Sequence, residues 1–292
     1  MSTLVGTHSG TFHADDVLAF ALVRHFVDAE ARVLRTRDAS ALSECDIVVD
    51  VGGVFDPANR RFDHHQSSYT GALSSAGMVM EWLETEATVT PELAQHLRVQ
   101  LVDYVDAVDT GRIAPDPEIP CFARLVETFG VGADSAQDKQ QAFLAASDAA
   151  VRYLKGLEAD HQQLCDAREV VRAAMDEAVA AGRRVVILDK YYRWKPVYFE
   201  YGGREHPTDY MMFPSDEGSW KILAIPPKPG VFDQKRSLPS SWAGLMGDEL
   251  SQATGVPGSV FCHKNCFIAV FSTREGAEQA LRSFDRWAPS AA

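Results

Sequence analysis

The chain has 292 residues, 46% of them apolar and 24% charged, the proportions of a folded globular protein, and its length fits two domains better than one or three. No apolar run approaches the roughly 20 residues needed to cross a bilayer, and the first residues lack the basic-then-apolar layout of a secretory signal, so the expectation is a cytoplasmic protein without a membrane span. A formal charge of −13 argues against a sequence-reading DNA-binding protein, yet leaves room for an enzyme that holds short phosphodiesters on bound divalent cations, which reverse the local field.

The N-terminal third has an α/β rhythm. A short strand, Leu4 to Thr7, leads through a polar loop into a helix expected over residues 14–29. Strands follow at residues 32–35 and 46–51, the latter a continuous apolar run ending at Gly52-Gly53, as in a strand of a parallel sheet covered on both faces. Helices are expected over 75–86 and, opened by Pro91, over 91–107. Residues 134–181 form a long helical stretch interrupted only by Gly156, read as two helices or one bent helix joining the domains. Beyond residue 184 the apolar runs 185–188, 210–213 and 221–225 read as strands. They are followed by a helix over 243–254, strands over 259–262 and 267–271, and a helix over 273–284. The resulting division is a parallel-sheet catalytic domain over 1–135, a helical connector over 136–183 and a smaller α+β substrate domain over 184–292. Five scattered cysteines form no Cys-x-x-Cys pair and are expected as reduced thiols. The run from Cys262 to Cys266 reads as a hairpin with buried thiols rather than a zinc site.

Histidines and aspartates concentrate in the loops of the first domain. One cluster is His8-Ser9-Gly10-Thr11-Phe12-His13-Ala14-Asp15-Asp16, and another is Phe62-Asp63-His64-His65-Gln66. Loops at the carboxyl ends of parallel strands converge on one crevice, so His8, His13 and Asp15 can meet Asp50 there. Mixed imidazole and carboxylate donors suit manganese, with magnesium as the alternative. A third cluster carries Asp103, Asp106 and Asp109 at three-residue intervals, roughly one helix face. Any of these clusters alone is more simply a set of loop or solvated helix residues; their conjunction is what points to a metal site.

In this order the clusters resemble the DHH phosphoesterase superfamily, named for a triplet matching Asp63-His64-His65. The sequence departs from its usual opening motif in having His13 where an aspartate is common, with one extra residue after His8. Within the superfamily the match is to the melanocyte-proliferating-gene family, whose eukaryotic members act as RNA exonucleases. It is carried by residues 7–13 and 62–66 and, in order, by Val105-Asp106-Ala107-Val108-Asp109, His206-Pro207, Trp242-Ala243-Gly244-Leu245, Gly255-Val256-Pro257-Gly258, Phe261-Cys262-His263 and Thr273-Arg274-Glu275-Gly276-Ala277. The resemblance implies two divalent ions, with His8 and His13 on one, Asp15 and His64 on the other, and Asp50 bridging. Asp109, or else Asp106, completes the second. It also implies that His65 faces the substrate phosphate and that Asp63 orients the histidine pair. The expected activity is 3′-to-5′ hydrolysis of RNA or short oligonucleotides. The same constellation would serve a pyrophosphatase, a polyphosphatase or a small-nucleotide phosphatase, and a silent metal-binding regulatory module is the reading from another class. Substrate contacts are expected from His263, Lys264, Arg236 and Lys195, with Trp194 as a stacking surface. The stretch 134–181 would also allow a homodimer.

Overall fold

The computed structural model describes residues 2–284. It is a mixed α/β structure of two compact units, one running to His161 and the other beginning at Gln162. Among the described residues no helix is long and apolar enough to cross a membrane.

In the first unit the elements are β1 (Leu4–Thr7), α1 (Ala14–Phe26), β2 (Arg32–Arg35), α2 (Ala39–Ser43), β3 (Ile47–Val49), β4 (Phe55–Asp56), β5 (Arg61–Phe62), α3 (Ser75–Thr85), α4 (Pro91–Leu97), α5 (Asp103–Asp109) and α6 (Phe122–Phe129). The sheet order is β2-β1-β3-β5-β4. Strands β2, β1, β3 and β5 run parallel, with Val5 opposite both Val33 and Ile47 and Val49 opposite Phe62. The expected parallel sheet therefore carries one addition, the antiparallel edge strand β4. Two-residue strands are too short for their apolar alternation to be recognised in a sequence.

Helix α1 is the centre of this unit. Every residue from Ala14 to Val23 is buried, so its sequence shows no polar face. Its burial is also why two aspartates in its first turn are shut away from water. A fully buried side chain such as Phe20 contributes about 1.5–3 kcal/mol of transfer free energy. On β1, Gly6 lets α2 lie close: a Cβ there would come within 2.8 Å of the Leu42 side chain and 3.0 Å of Cys45 Sγ. The single helix expected over 91–107 is found as α4, a π-helical turn over Arg98–Val102, and α5. The wider turn shifts the phase of the aspartates that follow it.

Helix α7 (Ala136–Ala180) is one continuous helix that contributes to both units. In the second unit the elements are β6 (Val185–Ile187), α8 (Trp194–Glu200), β7 (Tyr210–Pro214), β8 (Trp220–Ala224), α9 (Gly247–Thr254), β9 (Ser259–Cys262), β10 (Ile268–Phe271) and α10 (Arg274–Phe284). The sheet order is β6-β7-β8-β10-β9, parallel between β6 and β7 and antiparallel elsewhere. Strand β7 is apolar throughout because both of its faces are covered. Tyr210 and Met212 pack with Trp242, Phe271 and Leu281, whereas Met211 and Phe213 pack with Val171, Met175 and Trp194.

Candidate metal centre

The site residues of the first unit lie at the carboxyl ends of β1, β3 and β5 and on the helix ends packed against them. Strand β1 ends at Thr7, which sets His8 at its tip, 4% exposed. The following loop is held by Arg35 at the end of β2. Its guanidinium donates to the Gly10 and Lys139 carbonyls at 2.8 and 3.1 Å and lies over the rings of Phe12 and Phe143. His13 then caps α1 in extended backbone, and its N–H donates to Asp16 Oδ1 at 2.9 Å.

Asp50 follows β3 with φ of 57°, a left-handed conformation uncommon outside glycine and sustained here by the Asp50 N–H donating to the Phe62 carbonyl. The turn directs its two carboxylate oxygens to different neighbours. Oδ2 lies 3.2 Å from His8 Nε2. Oδ1 lies 3.5 Å from His65 Nδ1, 3.8 Å from His64 Nδ1, and 3.3 Å from the Ser75 hydroxyl that donates to it. Asp63, 2% exposed, accepts from the Gly53 N–H at 2.6 Å with one oxygen. With the other it meets the His65 N–H at 3.1 Å and the ring Nδ1 at 2.7 Å. Burial works against the Asp63 carboxylate, but these donors prevail and hold it below the usual carboxylate range. His65 is thereby fixed at Nδ1 while its side chain remains 63% exposed. His64 stacks on it at 4.3 Å and reaches Asp109 Oδ2 with Nε2 at 2.9 Å.

Three sets of side chains bring ligand atoms within 4.8 Å of one another among the described residues: Asp50 with Asp63, His64 and His65; His8 with His13 and Asp50; and His13 with Asp15 and Asp109. Shared Asp50 and His13 make these one continuous patch that could hold metal ions.

Its electrostatics fit a cation. Asp15 is fully buried, and neither carboxylate oxygen meets a hydrogen-bond donor among the described residues. Burial and the neighbouring charges of Asp50, Asp109 and Asp16 push its carboxyl well above the usual range. Ionising so buried a carboxyl is costly, and a divalent ion within reach of His13, Asp15 and Asp109 would offset that cost. For His8, burial opposes the imidazolium, yet the hydrogen bonds and charges of Asp16 and Asp50 prevail and raise it to about 10. Protons stand on this side chain where a metal would otherwise balance the carboxylates.

Asp106 has another task. Its Oδ1 accepts from the Ser74 N–H, the Ser74 hydroxyl and the Gly77 N–H at 3.0, 2.6 and 3.0 Å, fastening the start of α3. Gly77 permits this approach, since a Cβ there would lie 2.1 Å from Asp106 Oδ2. Of the two aspartates left open by the sequence, the one that faces His64 is Asp109. Asp16 and Ser75 were not assigned from sequence. The three-residue spacing of His13 and Asp16, that of a capping box, was the available signal for the first, and nothing in the sequence marked the second.

In the second unit, His263 and Lys264 occupy the turn between β9 and β10. The His263 ring lies 4.4 Å from that of Phe267, and its Nδ1 accepts from the Asn265 N–H at 3.1 Å. Lys195 is in the first turn of α8, and Arg236 lies between β8 and α9, with one guanidinium nitrogen 3.5 Å from the Phe284 carbonyl. Trp194 is 2% exposed in the core and has no free face on which to stack a base, a correction to the sequence expectation. Its apolar side chain is needed to seal α8 against β7. All five cysteines are free thiols, and none joins a three-residue ligand set among the described residues.

A family model described as "Uncharacterised protein family (UPF0160)", MYG1_exonuc, matches residues 4–283. The chain belongs to the MYG1 family. It is 37% identical over 286 residues to the MYG1 protein of Chlamydia muridarum, covering 95% of this chain and 94% of that one. It is 32% identical over 321 residues to the MYG1 exonuclease of Homo sapiens, covering 96% and 85%. The MYG1 match spans both units and is not confined to the residues of the candidate metal centre.

Proposed function

We propose that this MYG1-family protein is a metal-dependent phosphodiesterase of the DHH type, an exonuclease that removes nucleotides from the 3′ end of RNA or short oligonucleotides. The observation that carries this reading is Asp50, whose two carboxylate oxygens face His8 on one side and the His64-His65 pair on the other, as a carboxylate shared by two cations must. His8 and His13 would serve one ion, and Asp15, His64 and Asp109 the other; the mixed imidazole and carboxylate set suits manganese, with magnesium as the alternative. When bound, such a pair of ions supplies a hydroxide nucleophile at neutral pH and neutralises charge on the phosphoryl oxygens.

The protein's own groups do the rest. Asp63 fixes His65 through Nδ1, leaving the opposite edge of an exposed imidazole to meet a phosphate oxygen or hand a proton to the leaving group. Gly53 and the left-handed Asp50 lock the loop that carries this pair. Further contacts to the strand are assigned to His263, Lys264, Arg236 and Lys195 of the second unit. The name of the human relative, an exonuclease, supports the same direction.

The test is hydrolysis by the purified protein with manganese, using labelled short RNA, matched DNA and pyrophosphate in parallel. Stepwise release of mononucleotides from the 3′ end of RNA, absent in Asp50→Ala, is the expected result. Phosphate release from pyrophosphate alone would reassign the protein to anhydride hydrolysis, and bound metal without turnover would make it a regulatory module.

A further inference from the structure

A cleft of about 370 Å³ opens in the first unit directly beside His13. An edge of Phe12 reaches it; this residue is 4% exposed, packed edge-on against Phe143 at 5.7 Å with the Arg35 guanidinium 5.5 Å from its ring centre. Arg35 is itself fastened to two carbonyls, so this side of the cleft is rigid. Gly130 and Val131 form another wall. Val131 is 81% exposed, and Gly130 lies beside the edge of the Phe12 ring, where a Cβ would stand 3.6 Å from it. Thr11, Glu127 and Lys139 supply one hydroxyl, one carboxylate and one ammonium at the rim. An apolar lining with a few polar groups around it is the make-up of a small-molecule site, and this volume is at the lower end for such sites.

Pyrophosphate and polyphosphate would gain nothing from Gly130 or Val131, and Glu127 offsets the one ammonium, Lys139, that would attract them. A nucleoside, by contrast, offers a flat apolar face and hydrogen-bond donors in one unit. His13 belongs both to this cleft and to the ligand sets around Asp50 and Asp15, so an occupant here is next to the candidate metal centre. We propose that the cleft binds the terminal nucleoside of the substrate, the one released as its monophosphate, with the base against Gly130 and Val131 and Glu127 accepting from the base or ribose. This inference rests on the phosphodiesterase reading and adds to it a site for the released nucleoside.

The experiment compares a dinucleotide with methyl p-nitrophenyl phosphate, a diester without a nucleoside, on the full-length manganese-loaded protein. Gly130→Leu has ordinary helical backbone to occupy, with φ of −80°, and fills the cleft; Glu127→Ala, at an exposed position, removes the acceptor without adding bulk. The expected result is a KM for the dinucleotide raised about tenfold or more in Gly130→Leu, and by a smaller factor in Glu127→Ala, with kcat/KM for the small diester held within about twofold. Equal losses on both substrates, or no change on the dinucleotide, would overturn it. Should the wild-type protein hydrolyse neither diester, the phosphodiesterase reading falls, and adenosine 5′-monophosphate binding decides the cleft. Binding by wild type but not by Gly130→Leu supports the site, and equal binding or none refutes it.

Discussion

Each unit encloses a cluster of ionisable groups, and the two are balanced in opposite ways. In the second unit the Lys235 ammonium donates to the Tyr198 hydroxyl at 3.0 Å and to the carbonyls of Gly203, His206 and Thr208 at 2.5, 2.8 and 3.4 Å. Its cation is matched by oxygen atoms already in the fold. In the first unit Asp15, Asp16 and Asp50 are buried together, and the oxygens of Asp15 find no donor among the described residues. The cluster around Lys235 is a finished structural network, whereas the cluster around Asp15 leaves buried carboxylate oxygens that a cation could meet. Burial of charge therefore distinguishes a site from a scaffold only when its partners are counted.

The sharpest way to break this comparison is at Asp50. Asp50→Ala is expected to lower manganese-dependent turnover by about 10³-fold or more, the scale of losing a group that acts on the transition state. Steady-state rates on labelled RNA measure it. In the second unit Lys235→Ala should leave its carbonyls without their charged donor and cost about 3 kcal/mol of stability. Urea unfolding with and without manganese should show that loss to be metal-independent. Asp15→Asn should do the reverse, leaving the stability of chelator-treated protein little changed near neutral pH, because burial and its neighbours already keep that carboxyl protonated. It should also reduce the stabilisation that manganese confers, which is about 2.7 kcal/mol for an intact site at a hundredfold excess over Kd. Thermal melts in chelator and in manganese separate the two effects. Asp63→Asn should slow turnover about 10–100-fold with manganese affinity little changed, if Asp63 acts by orienting His65.

A further prediction concerns pH. His8 in the metal-free protein is raised from 6.5 to about 10, so its pairing with Asp16 and Asp50 stabilises the fold fully below about pH 6.5. That contribution is lost as pH rises through about 10. Melts of chelated protein across this window should show a decline that Asp16→Asn reduces, whereas manganese, which requires a neutral imidazole, should bind more tightly as pH rises.

Much of this was legible in the sequence because the site is made of loops that follow strands. The strand over 4–7 and the Gly-Gly turn after Val51 place His8 and Asp50 at one sheet edge by topology alone. What escaped was whatever depends on packing at close range. The hairpin of β4 and β5 consists of two-residue strands, and α8 was hidden in a segment punctuated by Pro196. Trp194 offered a base-stacking surface in sequence, and only its burial shows that it belongs to the core. The separation of Asp106 from Asp109 required the π-helical turn before α5 and the glycine at 77, neither of which has a sequence signature of its own.

The central claim, a carboxylate shared between two cations, is tested most directly by electron paramagnetic resonance of the manganese-loaded protein with bound metal counted in the same sample. Two manganese ions per chain with the spectrum of a spin-coupled pair, replaced in Asp50→Ala by an uncoupled signal or by loss of metal, is the predicted result. A single uncoupled ion in the wild-type protein, or a coupled pair that survives Asp50→Ala, would contradict it.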